Sequence, residues 1–341
     1  MFTKEQVQVR PNWEARVQRN GMDPSKWNEG QMTVLGKLPT SISQAISEAM
    51  PKVVTFMNEF FSKNDVELCP EFPWVTKGEV YDAMAASWAH QDFSPIVRLD
   101  FAVSKSGNLY LMAIKGDALG SMASAAQVSK AWYEHHFDGD LTKVSINHMQ
   151  GHLSSILKPY GRHSSPPSIK DVTVLSSEST SAQYFARAID ASSGLELSSV
   201  GIAGLEALKD IERDEHLTSA VIKVDPWMKV LENAEEGSPW IEAFKTPRSF
   251  MMQPSWILLL DEVLDFREPF QDDDIDFVLN VWMSDPGSNF ISPLVLTSEY
   301  KLGYKFEEAV ITPFIMDTVD FRAQSEALSK AVEEALVAES K

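Results

Sequence analysis

The polar side chains with the most specific spacing lie on a predicted β-hairpin. The stretch VRLDFAVSKSGNLYLMAIKGD, residues 97–117, reads as two apolar strands joined by the polar turn SGN. Arg98 and Asp100 are two residues apart on the first strand, so both side chains leave the same face of a sheet. The returning strand offers Ala113 and Lys115 beside them. The pair therefore belongs either to an ion-binding site, intact or remnant, or to a purely structural ion pair.

Four other polar groupings give weaker signals. His148 and His152 in HMQGH have the i, i+4 spacing of helical metal ligands, but the Glu that a zinc protease needs between them is missing. The acidic run at 271–276 lacks the Gly turn and the closing Glu of a calcium loop. EHHF, residues 134–137, is typical of a helix end, and PGSNF, residues 286–290, is typical of a surface turn.

The charge of the chain limits its partners. With 341 residues, of which 44% are hydrophobic, the chain is long enough for one large domain or two ordinary ones. Its net charge of −19 argues against a broad nucleic-acid-binding face, because such a face must neutralise phosphates. An acidic surface suits a cationic substrate such as a polyamine, although it more often serves only solubility. We therefore expect no nucleic-acid partner.

The cysteine content and the apolar runs bear on location. Cys69 is the single cysteine, which excludes a disulfide framework and a Cys-based zinc site. No apolar run approaches the length of a transmembrane helix, and the N-terminus lacks the apolar core of a secretory signal. These features predict a cytoplasmic protein with no membrane partner.

Periodicity divides the first half of the chain into a few elements. Residues 1 to about 35 read as irregular, since RPNW and WNEG interrupt any regular pattern. Apolar residues at helical spacing predict helices over 39–63, 79–90 and 121–137, with Pro51 kinking the first. The hairpin is expected to span 96–114, between the second and third helices.

The second half has the strand–helix–strand pattern that is typical of a parallel sheet. After the loop HSSPPS, the stretches 171–178, 179–194 and 195–202 predict a strand, a helix and a strand, which together form a βαβ unit. A further strand is predicted over 219–227, followed by the apolar element SWILLLDEVLDF. The chain closes with an amphipathic helix over about 320–339.

The order of several short motifs resembles that of the glutathionylspermidine synthase family, specifically its permuted ATP-grasp synthetase domain. The motifs are RPNWE, WNEG, SW followed by RLDF, GDALGS, AWYEHHF and VIKVDPWMKVLE, over roughly residues 9–260. The resemblance implies an α/β (α+β), ATP-grasp-like fold. It implies an N-terminal portion with the hairpin at 1–164, a pre-ATP-grasp-like βαβ portion at 165–260, and a shortened C-terminal region at 261–341.

The resemblance also assigns roles to residues of the hairpin and its surroundings. In that family the hairpin holds magnesium for ATP, and the return strand supplies a Glu and an Asn, whose positions are Ala113 and Lys115 here. The carried-over roles are catalysis for Arg98, metal binding for Asp100, and nucleotide cofactor binding for Asp117, Ser121 and Lys223. Lys115 is a further cofactor candidate on its own chemistry, because its cation would neutralise phosphate in place of a metal.

The two substitutions weaken this magnesium site. Magnesium prefers carboxylate, phosphate and water oxygens, so Ala113 removes a ligand. Lys115 adds a cation that, at ~5 Å and an effective dielectric of about 20, repels each elementary charge of the metal by roughly 3 kcal/mol. The family's basic, glycine-containing phosphate loop is also missing from the sequence. These departures favour a catalytically degenerate module that acts by binding or as a structural component and needs no cofactor.

Two alternatives stay open from the sequence. The first is a divergent ATP-dependent carboxylate–amine ligase, using ATP and magnesium to join a carboxylate to a polyamine or another amine. The second concerns the helix at 320–339, whose apolar stripe either packs on its own domain or docks a protein partner or a second copy. The stripe consists of Phe321, Leu328, Val332 and Leu336.

A shortened family member recruited to assembly would fit a phage-encoded protein, which would be assembled inside a host cell.

Overall fold

The computed structural model describes a mixed α/β protein. The described residues are 2–35, 55, 57–62, 78–90, 96–116, 119–137, 144–145, 170–177, 179–190, 198–211, 219–232, 238–246, 255, 258, 275–284, 294–301 and 308–316. Helices and strands are interspersed along this part of the chain, and the strands form three sheets.

The described elements are numbered in chain order. The helices are α1 (Trp13–Arg19), α2 (Glu79–Ala89), α3 (Leu119–Phe137), α4 (Ser179–Asp190), α5 (Trp227–Glu232) and α6 (Pro239–Lys245). The strands are β1 (Phe2–Gln6), β2 (Gln31–Leu35), β3 (Ile96–Ser104), β4 (Leu109–Lys115), β5 (Val144–Ser145), β6 (Asp171–Leu175), β7 (Ser199–Ala203), β8 (Ser219–Lys223), β9 (Ile275–Ser284), β10 (Leu294–Glu299), β11 (Ile311–Thr312) and β12 (Phe314–Met316). Short 3-10 helices span Pro24–Lys26 and Leu205–Asp210.

The largest sheet is antiparallel and has five strands in the order β11-β10-β9-β3-β4. Its β3–β4 pair is the predicted hairpin, which the structure confirms. Gly107 in the turn has a φ of +87°, a left-handed conformation that favours glycine. Because β3 is an inner strand, its residues have neighbours on both sides, from β4 and from β9.

The second sheet joins the two ends of the described chain, in the order β1-β2-β12-β5. The expectation that residues 1 to about 35 are irregular is therefore wrong. Four of the five residues of β1 are exposed, so this strand shows no apolar alternation in the sequence. It forms because it pairs with β2 in register from Phe2↔Leu35 to Gln6↔Gln31.

The third sheet is parallel, with the order β7-β6-β8. β6, α4 and β7 form the βαβ unit that the sequence predicts, and β8 lies on the other side of β6. The predicted helices at 79–90 and 121–137 are also found, as α2 and α3. No helix in the described part of the chain is long and apolar enough to cross a bilayer.

Apolar clusters cover both faces of the five-stranded sheet. One cluster contains Leu99, Phe101 and Val281 from the sheet and also includes residues of α2, α5 and α6. The other cluster joins Trp282 and Leu296 to residues of α3 and α4. The sheet is thus the middle layer of the described structure, and its second face carries the polar residues considered next.

Several predictions fall outside the described residues. They are the helix at 320–339, the pair His148 and His152, the turn at 286–290, most of the helix at 39–63 and the cofactor candidate Asp117. The division of the chain at 164 and 260 also stays a prediction.

Candidate functional site

Arg98 and Asp100 form an ion pair inside the protein, which is one of the two alternatives that the sequence leaves open. Nε of Arg98 donates to Oδ1 of Asp100 at 3.0 Å, and Nη2 donates to Oδ2 at 3.0 Å. The two residues are 3% and 1% exposed. Since a two-point contact holds the guanidinium and the carboxylate in one plane, the pair is a fixed geometric feature of β3.

The strand register explains which residues share the face of this pair. On one side of β3, Asp100 lies opposite Ala113, and Arg98 lies opposite Lys115. Directly opposite residues of an antiparallel pair project to the same face. The substituted positions Ala113 and Lys115 therefore belong to the face of the ion pair, and the half-buried Lys115 adds a second cation to it.

On the other side of β3, the C-terminal strands complete the cluster. Asn280 lies opposite Asp100, and its Nδ2 donates to Oδ1 of Asp100 at 2.7 Å. Ser298 of β10 donates its hydroxyl to Oδ1 of Asn280 at 2.8 Å. Both side chains are buried. A chain of hydrogen bonds thus runs across three strands, from Arg98 through Asp100 and Asn280 to Ser298.

Sequence reasoning missed Asn280 and Ser298. The only signal at Asn280 is a single amide within the apolar strand FVLNVW, where a buried polar side chain requires a hydrogen-bonding partner. That signal does not name the partner, because the partner lies 180 residues away in sequence.

Ser121 and Trp282 are the other neighbours of Arg98. The first turn of α3 brings the Ser121 hydroxyl to 3.5 Å from Nη1 of Arg98, which is a long contact. Cζ of Arg98 lies 5.8 Å from the ring centre of Trp282, within reach of a cation–π interaction. Ser121, a candidate from the sequence, is therefore brought to the ion pair.

The magnesium site that the resemblance implies does not fit the described residues. Both oxygens of Asp100 already accept hydrogen bonds, from Arg98 and from Asn280. The position opposite Asp100 is Ala113, which has no side-chain oxygen to offer. Within the described ranges, no three His, Cys, Asp or Glu residues lie close enough together to hold a metal ion. A metal at Asp100 would have to displace the guanidinium of Arg98.

Lys223 lies in the parallel sheet, at the end of β8. It is fully buried, and its Nζ donates to the backbone oxygen of Asp225 at 2.6 Å. The same nitrogen stands 4.5 Å from the ring centre of Trp227. These contacts hold the Lys223 side chain against the turn that follows its own strand.

Asp225 ties the ends of two parallel strands together. Its carboxylate accepts hydrogen bonds from the backbone N–H of Ser177 at 2.6 Å and from the Ser177 hydroxyl at 2.7 Å, and it pairs with Lys229 at 2.7 Å. Burial alone would raise the pKa of Asp225, but the hydrogen bonds from Lys229 and Ser177 hold it below the ordinary value. Asp225 is therefore an ionised link between the loops after β6 and β8.

The two N-terminal motifs RPNW and WNEG meet in a buried network. Arg10 donates to the Glu29 carboxylate from Nε and, at 2.9 Å, from Nη2, and to the backbone oxygen of Ala131 at 2.7 Å. The indole N–H groups of Trp27 and Trp132 donate to Glu29, at 2.9 and 3.1 Å. Because these contacts are made within the chain, they give both motifs a structural role in fastening the N-terminal segment to α3.

Comparison with known proteins adds no family to this picture. No family model matches the chain, and no curated protein matches its sequence. Any functional assignment therefore rests on the residues and the geometry described above.

Proposed function

We propose that this protein is a catalytically degenerate, ATP-grasp-like protein that resembles the glutathionylspermidine synthases and acts as a binding or structural module. One observation supports this proposal most directly. The buried carboxylate of Asp100, the metal-ligand position of the resemblance, is bonded to Arg98 and Asn280. An internal cation and an internal amide thus occupy the oxygens that magnesium would need.

The energetic argument concerns the cost of opening this pair. Removing one member of a buried ion pair typically costs ~3–5 kcal/mol, because the other charge is left without a partner in a poorly solvated place. Magnesium binding at Asp100 would incur a cost of that kind, and Lys115 on the same face would repel the metal. In this arrangement Nε and Nη2 of Arg98 are committed to Asp100.

Calorimetric titration of the full chain tests the proposal. ATP and magnesium are added separately and together, and we expect no magnesium-dependent binding of the nucleotide. Saturable, magnesium-dependent binding of ATP would overturn the proposal and favour the ligase. Binding of ATP alone that disappears in Lys115→Ala would identify Lys115 as a cation that replaces the metal, consistent with a nucleotide-binding module without turnover.

The competing candidate is a divergent carboxylate–amine ligase, and the proximity of Ser121 to Arg98 favours it. This enzyme would use ATP to activate a carboxylate as an acyl phosphate, and an amine would then displace phosphate to form the amide. The net charge of −19 suits a cationic amine. Release of ADP that requires both a polyamine and a carboxylate, and that is lost in Arg98→Met, would establish the ligase.

Location and partners complete the proposal. We place the protein in the cytoplasm, or in an assembly formed inside a host cell if it is phage-encoded. The segment 320–339 is the candidate contact for a protein partner or a second copy if its apolar stripe does not pack on its own domain.

A further inference from the structure

β7 is an outer strand of the parallel sheet, and no other strand of the described residues pairs with the edge that faces away from β6. Ser199 donates its N–H to Lys170, and Ala203 accepts from Ser176, so these residues and Gly201 direct their peptide groups toward β6. Because peptide groups alternate along a strand, those of Val200 and Ile202 point away from the sheet. No hydrogen bond from the described residues reaches them.

This edge also lacks the charges that normally protect an edge strand. The sequence is uncharged from Leu197 to Leu205, in a chain with 23% charged residues. Among the described outer strands of five or more residues, β1 carries Lys4 and Glu5 and β4 ends at Lys115, whereas β7 carries no charge. The lysine that ends β8, Lys223, is buried and does not protect an edge. Proteins generally block open edges with charged residues, so an uncharged edge is suited to pairing with another strand.

The side chains of β7 are available for contact as well. Ile202 is 46% exposed, and Ser199 and Gly201 are exposed beside it. Val200 and Ile202 are two residues apart and project to one face, where they form a short apolar strip. Val200 packs partly against the cluster that contains α3 and α4, while Ile202 is exposed. An added strand with β-branched residues at alternate positions would cover this strip.

The net negative charge of the protein favours a different, basic partner over a second copy at the β7 edge. Two copies of the chain would each bring a net charge of −19 to the contact, which opposes association. The turn after β7 contains Glu206, Lys209 and Asp210, which sum to one net negative charge (−1 + 1 − 1). A partner strand flanked by basic residues is attracted by both the turn and the whole molecule.

We propose that the free edge of β7 binds an extended peptide segment of another protein, with β-branched residues at its centre and basic residues at its ends, by strand addition. Main-chain hydrogen bonds to Val200 and Ile202 would supply the affinity, and the alternate side chains would supply the specificity. This site is separate from the Arg98–Asp100 cluster and does not depend on whether that cluster binds a nucleotide.

A labelled model peptide tests the proposal with the full chain. The probe is the capped peptide KVTVTVK, and its controls are EVTVTVE and a KVTVTVK whose alternate amides are N-methylated. We expect saturable binding of the first peptide by fluorescence anisotropy and weaker binding of both controls. Hydrogen exchange at the amides of Val200 and Ile202 should slow when the peptide is bound.

Matched variants locate the binding at the edge. Ile202→Lys should weaken binding about tenfold or more, because it places a cation beside a basic peptide. Val9→Lys makes the same change at a second exposed large apolar side chain, which is 48% exposed, and should leave binding unchanged. Ile202→Thr keeps a β-branched side chain and should retain binding, which shows that the edge still folds.

Three results would overturn the proposal. The first is the absence of saturable binding of KVTVTVK, and the second is equal affinity for EVTVTVE. The third is a concentration-dependent dimer in analytical ultracentrifugation that Ile202→Lys abolishes, which would assign the edge to a second copy.

Discussion

The buried ion pair on β3 is extended by hydrogen bonds from two neighbouring strands. Arg98 contributes the charge that balances Asp100, Asn280 from β9 donates to the Asp100 carboxylate, and Ser298 from β10 donates to the side-chain oxygen of Asn280. Burying two charges costs several kcal/mol per ion, and the pair is tolerable only when its hydrogen bonds are complete. The polar cluster is therefore sensitive to the loss of any one member.

Replacing Asp100 tests this sensitivity. Asp100→Ala leaves the guanidinium of Arg98 buried without that counter-charge, so we expect the free energy of unfolding to fall by ~3–5 kcal/mol. Urea denaturation followed by circular dichroism measures the change. Glu134→Ala is the matched control, because the Lys130–Glu134 pair is more than half exposed and 3.9 Å long, and its loss should cost less than ~0.5 kcal/mol. Equal losses in the two variants would contradict a buried pair.

His136 is a half-buried titratable group on the last turn of α3. Its ring lies 4.5 Å from that of Trp132, and its Nε2 has no hydrogen-bond partner among the described residues. Burial lowers the pKa of His136 below 6.5, and His135 and Arg10 lower it further, whereas Glu29 acts in the opposite direction. The neutral imidazole is therefore the form that the folded protein favours.

The pH dependence of stability follows from this lowered pKa. Between the folded-state pKa of His136 and 6.5, the unfolded chain binds more protons than the folded one, so stability falls as the pH falls through that window. Above pH 6.5 His136 is neutral in both states, so its protonation no longer lowers the stability of the folded protein. His136→Phe keeps an aromatic ring beside Trp132, and its melting temperature should fall less than that of the unmodified protein between about pH 7 and about pH 5. Parallel curves for the two proteins would show that His136 does not contribute.

At the scale of elements, local sequence signals predict the hairpin, α2, α3 and the βαβ unit. Each has a signal within its own residues, such as the SGN turn or the helical spacing of apolar residues in α3. β1 has no such signal, because it is mostly exposed and owes its existence to pairing with β2. Local signals therefore identify elements that are stable through their own pattern, and they miss those that depend on a distant partner.

The candidate site likewise contains one contact that the sequence predicts and others that depend on distant partners. The contact between Arg98 and Asp100 follows from two-residue spacing on one strand. Asn280 and Ser298 join it only because β9 lies next to β3, and the sequence does not state that order. Their inclusion depends on the topology of the sheet, which is set by packing over the whole chain.

The register of the hairpin shows which two positions to change in order to restore the magnesium ligands that the resemblance implies. Ala113→Glu together with Lys115→Asn would return a carboxylate opposite Asp100 and remove a cation from that face. We expect the double variant to bind magnesium more tightly than the unmodified protein, as measured by calorimetry. An unchanged affinity in a folded double variant would mean that Arg98 and Asn280 keep Asp100 occupied, so that more than two ligands have been lost.

At the scale of the molecule, strands from distant parts of the chain are interleaved. β2 lies between β1 and β12, so the first and last described strands belong to one sheet. The Thr33 hydroxyl of β2 lies 2.8 Å from that of Thr297 in β10, which links this sheet to the five-stranded one. Removal of the last described strands should consequently affect the N-terminal segment as well.

Two truncations test two separate questions: whether the fold requires β11 and β12, and what the segment 320–339 contributes. Deleting 308–341 removes β11 and β12 together with Ile311, Phe314 and Ile315, each at most 4% exposed. At ~1.5–3 kcal/mol for each large apolar side chain, the loss of roughly 5–9 kcal/mol is comparable with the whole stability of a typical protein. This variant should fail to fold, as judged by the loss of cooperative thermal unfolding.

Deleting only 320–341 retains both strands and tests the predicted amphipathic helix. If its apolar stripe packs on its own domain, as we expect, the melting temperature of the variant falls, because each buried apolar side chain is worth ~1.5–3 kcal/mol. If the stripe docks a second copy, the melting temperature of the monomer stays the same while association seen by light scattering disappears. If neither quantity changes, both expectations are wrong, and the segment contributes to neither folding nor self-association.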